Sequence, residues 1–207
     1  MPKRVDLAAQ RLAIADAAID VIDEAGLDRT RLRDVARAAN VTTGAVTHYF
    51  DSKDAVLEAA LEEIVRRTLN RMEAVPSTKS PMDVAVFINR VCTYLPTDEN
   101  SRQEWRVWLA FWGRAIADER LCAIHRNHYN KIIDRLIAPL LSLRIVAPEP
   151  SQRQLRKYAD AVVAAIDGVG TRATLEPDLW SPKRQKETLT NLLVPMLTAF
   201  ANGRDNV

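Results

Sequence analysis

Apolar residues recur every three or four positions along almost the whole chain, and no stretch shows the two-residue alternation of a half-buried strand. The pattern predicts an all-α protein. A first helix runs from Leu7 to about Ala25, with Leu12, Ala15, Ile19 and Ile22 as its apolar stripe and Asp16, Asp20, Asp23 and Glu24 turned away. Gly26 supplies the left-handed residue that stops it. Thr30 is placed to cap a short second helix whose buried side is Leu32, Val35, Ala36 and Ala39. Asn40 tolerates left-handed backbone and marks a tight turn, with Val41 tucked behind it. Thr42 caps a third helix ending at Tyr49, and Phe50 anchors the exit. Asp51 or Ser52 caps a fourth helix, which carries Val56, Leu57, Ala60, Leu61 and Ile64 on one side and reaches about Val75 before a break from Pro76 to Pro81. Further helices are expected at about Met82–Tyr94, Gln103–Ala117, Glu119–Leu143, Gln152–Thr174 and Pro182–Ala201. Pro139 and Pro195 fall inside helical patterns and predict kinks or ends there.

The stretch from Thr30 to Lys53 carries the chemistry. Two short helices meet at a sharp turn, with small Ala36 and Ala39 where backbones must approach. The outer face of the second is Thr43, Gly44, Thr47 and His48, a poor surface for mere packing. Short side chains suit a helix pressed into a DNA groove, where the backbone must come close to base edges.

Charge changes this picture little. Formal net charge is +2, and the first 53 residues hold eight Lys or Arg against eight Asp or Glu. A DNA partner is therefore argued from where charges sit and not from their sum. The apolar share of 47% supports a buried core, and six glycines spread over the chain leave no Gly-rich phosphate loop. Cys92 and Cys122 alone make no disulfide framework, which fits a reducing compartment. The residues before the first helix lack a signal-peptide apolar core. No apolar run approaches the roughly 20 residues of a membrane span. The expectation is a soluble, cytoplasmic protein with no membrane partner.

The residues Ile14, Ala18 and Gly26, then Arg33-Asp34-Val35-Ala36, Val41-Thr42-Thr43-Gly44-Ala45-Val46 and His48-Tyr49-Phe50-Asp51-Ser52-Lys53, resemble the TetR family of bacterial transcription regulators. Two departures stand out: Asn40 replaces the usual turn glycine, and Thr47 stands where an aromatic residue is frequent. The resemblance implies that Thr43, Gly44, Ala45, Thr47 and His48 face bases, that Tyr49 and Lys53 contact phosphates, and that Arg31 and Arg33 reach the backbone or an adjacent base. Thr42, the cap of the same helix, is counted with this DNA-binding set. Lys3, Arg4 and Arg11 are further candidates for backbone contacts. Taken singly, Arg31, Arg33 and Arg37 also fit a solvated helix face.

The stretch from Trp105 to Trp112 and the segment Asp167-Gly168-Val169 with Arg172-Ala173 resemble the subgroup with a BetI-like C-terminal domain. The family resemblance implies a homodimer paired through the last two helices. The candidate interface residues are Val162, Ile166, Val169, Leu189, Leu193 and Met196. Gly168 and Gly170 fit either close approach of another helix or a local bend. Trp105, Trp108 and Trp112 share one helix face, which is either a core stripe or one wall of a ligand pocket. Met72, Phe111 and Tyr129 are the other candidates for such a pocket. Cys122, His125 and His128 also share a face, but the spacing offers no fourth ligand of known geometry, and no metal or other cofactor is expected.

The sequence therefore predicts a helix-turn-helix DNA-binding domain at 1–53 and a larger helical ligand-binding and dimerisation domain at 54–207. The expected function is a repressor released from a near-palindromic operator in double-stranded DNA by a small organic molecule. A DNA-binding regulator without a small ligand, acting as an activator or under a protein's control, is the alternative. An enzyme fits least, since no Gly-x-Ser-x-Gly, His-Glu-x-x-His or nucleotide-binding glycine motif is present.

Overall fold

The computed structural model describes residues 7–75, 82–143 and 149–203. Among them the regular elements are helices: α1 (Leu7–Ala25), α2 (Leu32–Ala38), α3 (Thr43–Tyr49), α4 (Lys53–Glu73), α5 (Val84–Cys92), α6 (Glu99–Ala115), α7 (Glu119–Leu141), α8 (Gln152–Leu175) and α9 (Pro182–Ala201). The all-α class is that expected. The break at 76–81, and Lys3 and Arg4, lie outside the described residues.

Local chemistry explains most helix ends. Gly26 has φ 78° and stops α1, and Asn40 takes φ 54° in the turn between α2 and α3. Asp98 accepts from the Ser101 backbone N–H at 2.9 Å while the Ser101 hydroxyl accepts from the Asp98 N–H at 3.1 Å. This reciprocal cap starts α6 four residues before the expected Gln103. Ser151 and Gln154 form a capping box on α8, and Ser181 caps α9 ahead of Pro182. Pro139 and Pro195 sit inside α7 and α9 and end neither helix. Thr30 does not cap α2: its hydroxyl donates to the Gly26 carbonyl at 2.9 Å, and Arg31 occupies the N-cap position without a side-chain bond.

The chain divides into two compact units. The first takes residues 1–67 and 106–125, and the second takes 68–105 and 126–207. In the first, α1 packs on α2 and α2 on α3. Its core is Ile14, Ala18, Ile19 and Ile22 of α1, Val35 and Ala36 of α2, Val46 of α3, Phe50, and Val56, Leu57, Ala60 and Leu61 of α4. Leu12, expected in the α1 stripe, is exposed; Ile14 and Ala18 take the inward positions instead. Ion pairs tie α1 to later helices: Arg67 to Asp16 at 2.6 Å, and Arg106 to Asp23 through two bonds at 2.6 and 2.8 Å. Burial works to raise the Glu63 carboxyl, but the Arg66 and Arg67 guanidiniums outweigh it and hold it below the ordinary range.

In the second unit, α9 packs against α8 and α5. Tyr158 and Phe200 meet with ring centres 4.4 Å apart. Gly170 of α8 lies beneath Trp105: a Cβ there would stand 2.2 Å from the indole ring. The glycine thus admits a side chain of its own chain and not a neighbouring helix.

Candidate nucleic-acid interface

The α2–turn–α3 segment is built by contacts close in sequence. The Thr42 hydroxyl accepts from the Ala45 N–H at 3.1 Å, which caps α3 as expected. The Val41 N–H donates to the Ala36 carbonyl at 2.9 Å and closes the turn. Val46 and Phe50 are buried, Tyr49 is half-buried, and Thr43, Gly44, Thr47 and His48 are exposed together on the opposite side of α3. Ala45 is half-buried. A Cβ on Gly44 would meet only the Thr42 hydroxyl oxygen, at 3.8 Å, which is ordinary contact. The protein itself therefore imposes no steric need for glycine there. The Thr47 hydroxyl donates to the Gly44 carbonyl at 3.1 Å and so is spent on its own helix.

The cations around this face are partly engaged. Asp34 pairs with Arg37 at 2.6 Å and lies 3.8 Å from Arg33; Arg31 is exposed. Lys53 Nζ donates to the Asp28 carbonyl at 3.1 Å, which uses one of three ammonium donors. Arg11 donates to the Tyr49 carbonyl and lies 4.4 Å over the Phe50 ring centre.

The six candidate ligand residues fall in both units. In the second, the Tyr94 hydroxyl donates to Met72 Sδ at 3.5 Å, and Trp105 Nε1 donates to the Tyr94 carbonyl at 2.6 Å. Trp105 covers Gly170, one turn of α8 from Asp167, whose carboxylate accepts from the Tyr129 hydroxyl at 2.8 Å. Met72 and Trp105 are thus joined through Tyr94, and Tyr129 meets α8 one turn from the glycine that Trp105 covers. Burial pushes the Asp167 carboxyl up to about 6, against the lowering effect of Tyr129. Asp167 was not expected at this site, because its partner lies 38 residues away. In the first unit Trp108 stacks on Phe111 with centres 6.5 Å apart, and Trp108 and Trp112 flank His125 at 6.3 and 6.0 Å. Burial lowers the His125 pKa.

The expected interface residues need correction. Val162, Ile166, Val169, Leu189 and Leu193 are buried by their own chain, so they have no surface left to offer a partner; Met196 is half-buried. The outward face of α8 is instead Ala161, Ala164, Gly168, Arg172 and Leu175, and that of α9 includes Leu192, Val194 and Pro195. Leu175 is 71% and Leu192 55% exposed. A Cβ on Gly168 would meet nothing within 4 Å.

Residues 14–60 match the family model described as bacterial regulatory proteins, tetR family, and residues 90–198 match that described as BetI-type transcriptional repressor, C-terminal. The HTH-type transcriptional regulator BetI of Burkholderia lata is 32% identical over 180 residues, covering 84% of this chain and 87% of that protein. Its namesake in Vibrio atlanticus is 28% identical over 199 residues, covering 93% and 94%. Among solved structures, a transcriptional regulator from a Rhodococcus species has a TM-score of 0.76 at 28% identity, covering 91% of this chain and 96% of that one. A regulator from Saccharomonospora viridis in complex with choline has a TM-score of 0.69 at 21% identity, covering 90% and 96%; that likeness is one of fold alone.

Proposed function

The chain belongs to the tetR family of bacterial regulatory proteins, with a BetI-type repressor C-terminal region, and on that premise we propose that it is a dimeric repressor released from its operator by a small organic molecule. As a transcriptional regulator it acts on DNA and not as an enzyme. Its place of work is the cytoplasm. No helix among the described residues is long and apolar enough to cross a membrane.

The observation that carries the DNA reading is the outer face of α3, where Thr43, Gly44, Thr47 and His48 are exposed together and a Cβ on Gly44 would meet nothing closer than the Thr42 hydroxyl oxygen at 3.8 Å. A glycine inside a helix costs about 1 kcal/mol relative to alanine. With no packing reason inside the chain, the return for that cost is close approach to something outside it, here the floor of a major groove. The DNA-binding domain is 1–53. Thr43, Gly44, Ala45, Thr47 and His48 face bases. Tyr49 and Lys53 reach phosphates, with two Lys53 donors still to spend, and Arg31 and Arg33 add backbone contacts. Thr42 serves through its cap on α3. One short helix reads too few bases, so two copies enter successive major grooves about 34–36 Å apart on a near-palindrome. Selection of duplexes from a random pool by the full chain, followed by footprinting, tests this. Two half-sites at that spacing support it, and failure to enrich any duplex refutes it.

The homodimer pairs α8 and α9 through their outward faces, where Gly168 and the flanking alanines permit close helix approach and Leu175 and Leu192 supply apolar area. The larger domain, 54–207, also holds the ligand. Its candidate residues are Met72, Trp105 and Tyr129 in the second unit and, as a separate set in the first unit, Trp108, Phe111 and Trp112. One observation favours an organic cation over a neutral compound: Asp167 is a desolvated carboxyl, and a bound cation would restore the charge compensation that burial removes. Tyr129, which donates to it, and Trp105, one turn of α8 away, are aromatic residues suited to the same ligand class. The choline held by the Saccharomonospora viridis regulator is of that class. Release requires the ligand to prefer a conformer whose recognition helices no longer match the groove spacing. The fourth helix, which runs from Lys53 to Glu73, is the lever. Choline titrated against the protein–DNA complex, with and without Asp167→Asn, tests the cationic reading. An equal response in both proteins counts against it.

A further inference from the structure

We propose that Arg11 is a positioning residue for the recognition helix, holding the C-terminal end of α3 at the angle from which it reads bases; this rests on the DNA-binding reading above. The geometry is specific. Arg11 lies on the first helix, 38 residues from its acceptor, and donates to the Tyr49 carbonyl, the last residue of α3. The same guanidinium lies 4.4 Å over the ring centre of buried Phe50, the C-cap of α3.

The last carbonyls of a helix have no partner within it and carry the negative end of its dipole, so a cation there is stabilising. In a helix of seven residues the last turn is more than half the element. The main packing of the DNA-binding segment runs from α1 to α2 and from α2 to α3. Arg11 supplies the third side of that triangle as a side-chain tie from α1 directly to the end of α3. His48 and Tyr49 sit in that last turn, next to the tied carbonyl. A guanidinium fits this task better than an ammonium, because its planar fork can donate to a carbonyl and lie over a ring at once. A phosphate contact would be a different role, and the dependence of affinity on salt separates the two.

The test uses the full chain, a duplex enriched from a random pool by the unaltered protein, and a duplex of unrelated sequence. Arg11→Ala should bind the enriched duplex about tenfold more weakly, bind the unrelated duplex as before, and keep the same dependence of affinity on salt. Hydrogen exchange at the Phe50 amide, which donates to the Val46 carbonyl at 2.9 Å, should speed up. Arg11→Lys should recover part of both losses. Equal weakening on both duplexes with a flatter salt dependence would make Arg11 a phosphate contact and overturn the proposal. Unchanged selectivity and unchanged exchange would overturn it as well. Should Arg11→Ala fail to fold, Arg11→Gln carries the same readouts. If the unaltered chain enriches no duplex, it is the DNA reading that falls, while the exchange measurement still decides whether Arg11 holds α3.

Discussion

Replacing Gly44 with alanine should move stability and DNA binding in opposite directions. Gly44 is the second residue of α3 and carries no positive φ, so alanine needs no backbone change. Its new methyl would meet only the Thr42 hydroxyl oxygen at 3.8 Å. Alanine also removes the extra backbone freedom of glycine in the unfolded chain, and the free protein should gain about 0.5–1 kcal/mol. For a chain of this size that is a rise of roughly 1–4 °C in Tm. On DNA the sign reverses. A methyl forced between helix and groove costs about 1–3 kcal/mol for each overpacked contact, and a dimer pays it twice. Affinity for the enriched duplex should fall at least tenfold, since each 1.4 kcal/mol is a factor of ten. Thermal unfolding reads the first effect, and fluorescence anisotropy with labelled duplex reads the second. A variant that binds DNA within twofold of the parent would refute close approach at Gly44. A variant that melts lower would refute the account of its surroundings.

Gly170→Ala should do the reverse within the fold, because its Cβ would stand 2.2 Å from the Trp105 ring and the bulky indole must shift; chemical denaturation should show a loss of about 1–3 kcal/mol. Asp167→Asn should raise stability at pH 8 but not at pH 3.5. The folded carboxyl titrates near 6 and the unfolded one near 3.8, so the folded state binds the extra proton and stability falls as pH rises between those values; equal effects at both pH values in thermal melts would refute this. Lys53→Ala should weaken binding to all duplexes alike and reduce the salt slope by about two, one for each protomer. Leu192→Glu should give a folded monomer by sedimentation, since this side chain is exposed in the single chain. Ile166→Glu or Leu193→Glu would instead place a charge in the chain's own core and unfold it.

What the sequence determined by itself was whatever depends on near neighbours. Gly26, Asn40, Thr42 and Ser181 set turns and caps through bonds to residues at most five positions away, so their roles were legible from type and spacing. Val46 and Phe50 turn inward while Thr43, Gly44, Thr47 and His48 turn outward for the same reason: helical period alone assigns the two faces of α3. What only the tertiary structure decided was which apolar face is covered by which surface. Periodicity marks Val162, Ile166 and Leu193 as buried, but it does not say whether their own chain or a partner buries them; here their own chain does so. The same limit applies to Gly170, whose reason is Trp105 from 65 residues earlier, and to Asp167 and Arg11, whose partners are each 38 residues away. A residue's type restricts what it can bond to, but only the packing of distant helices chooses the partner, because that choice depends on where the whole chain brings each backbone.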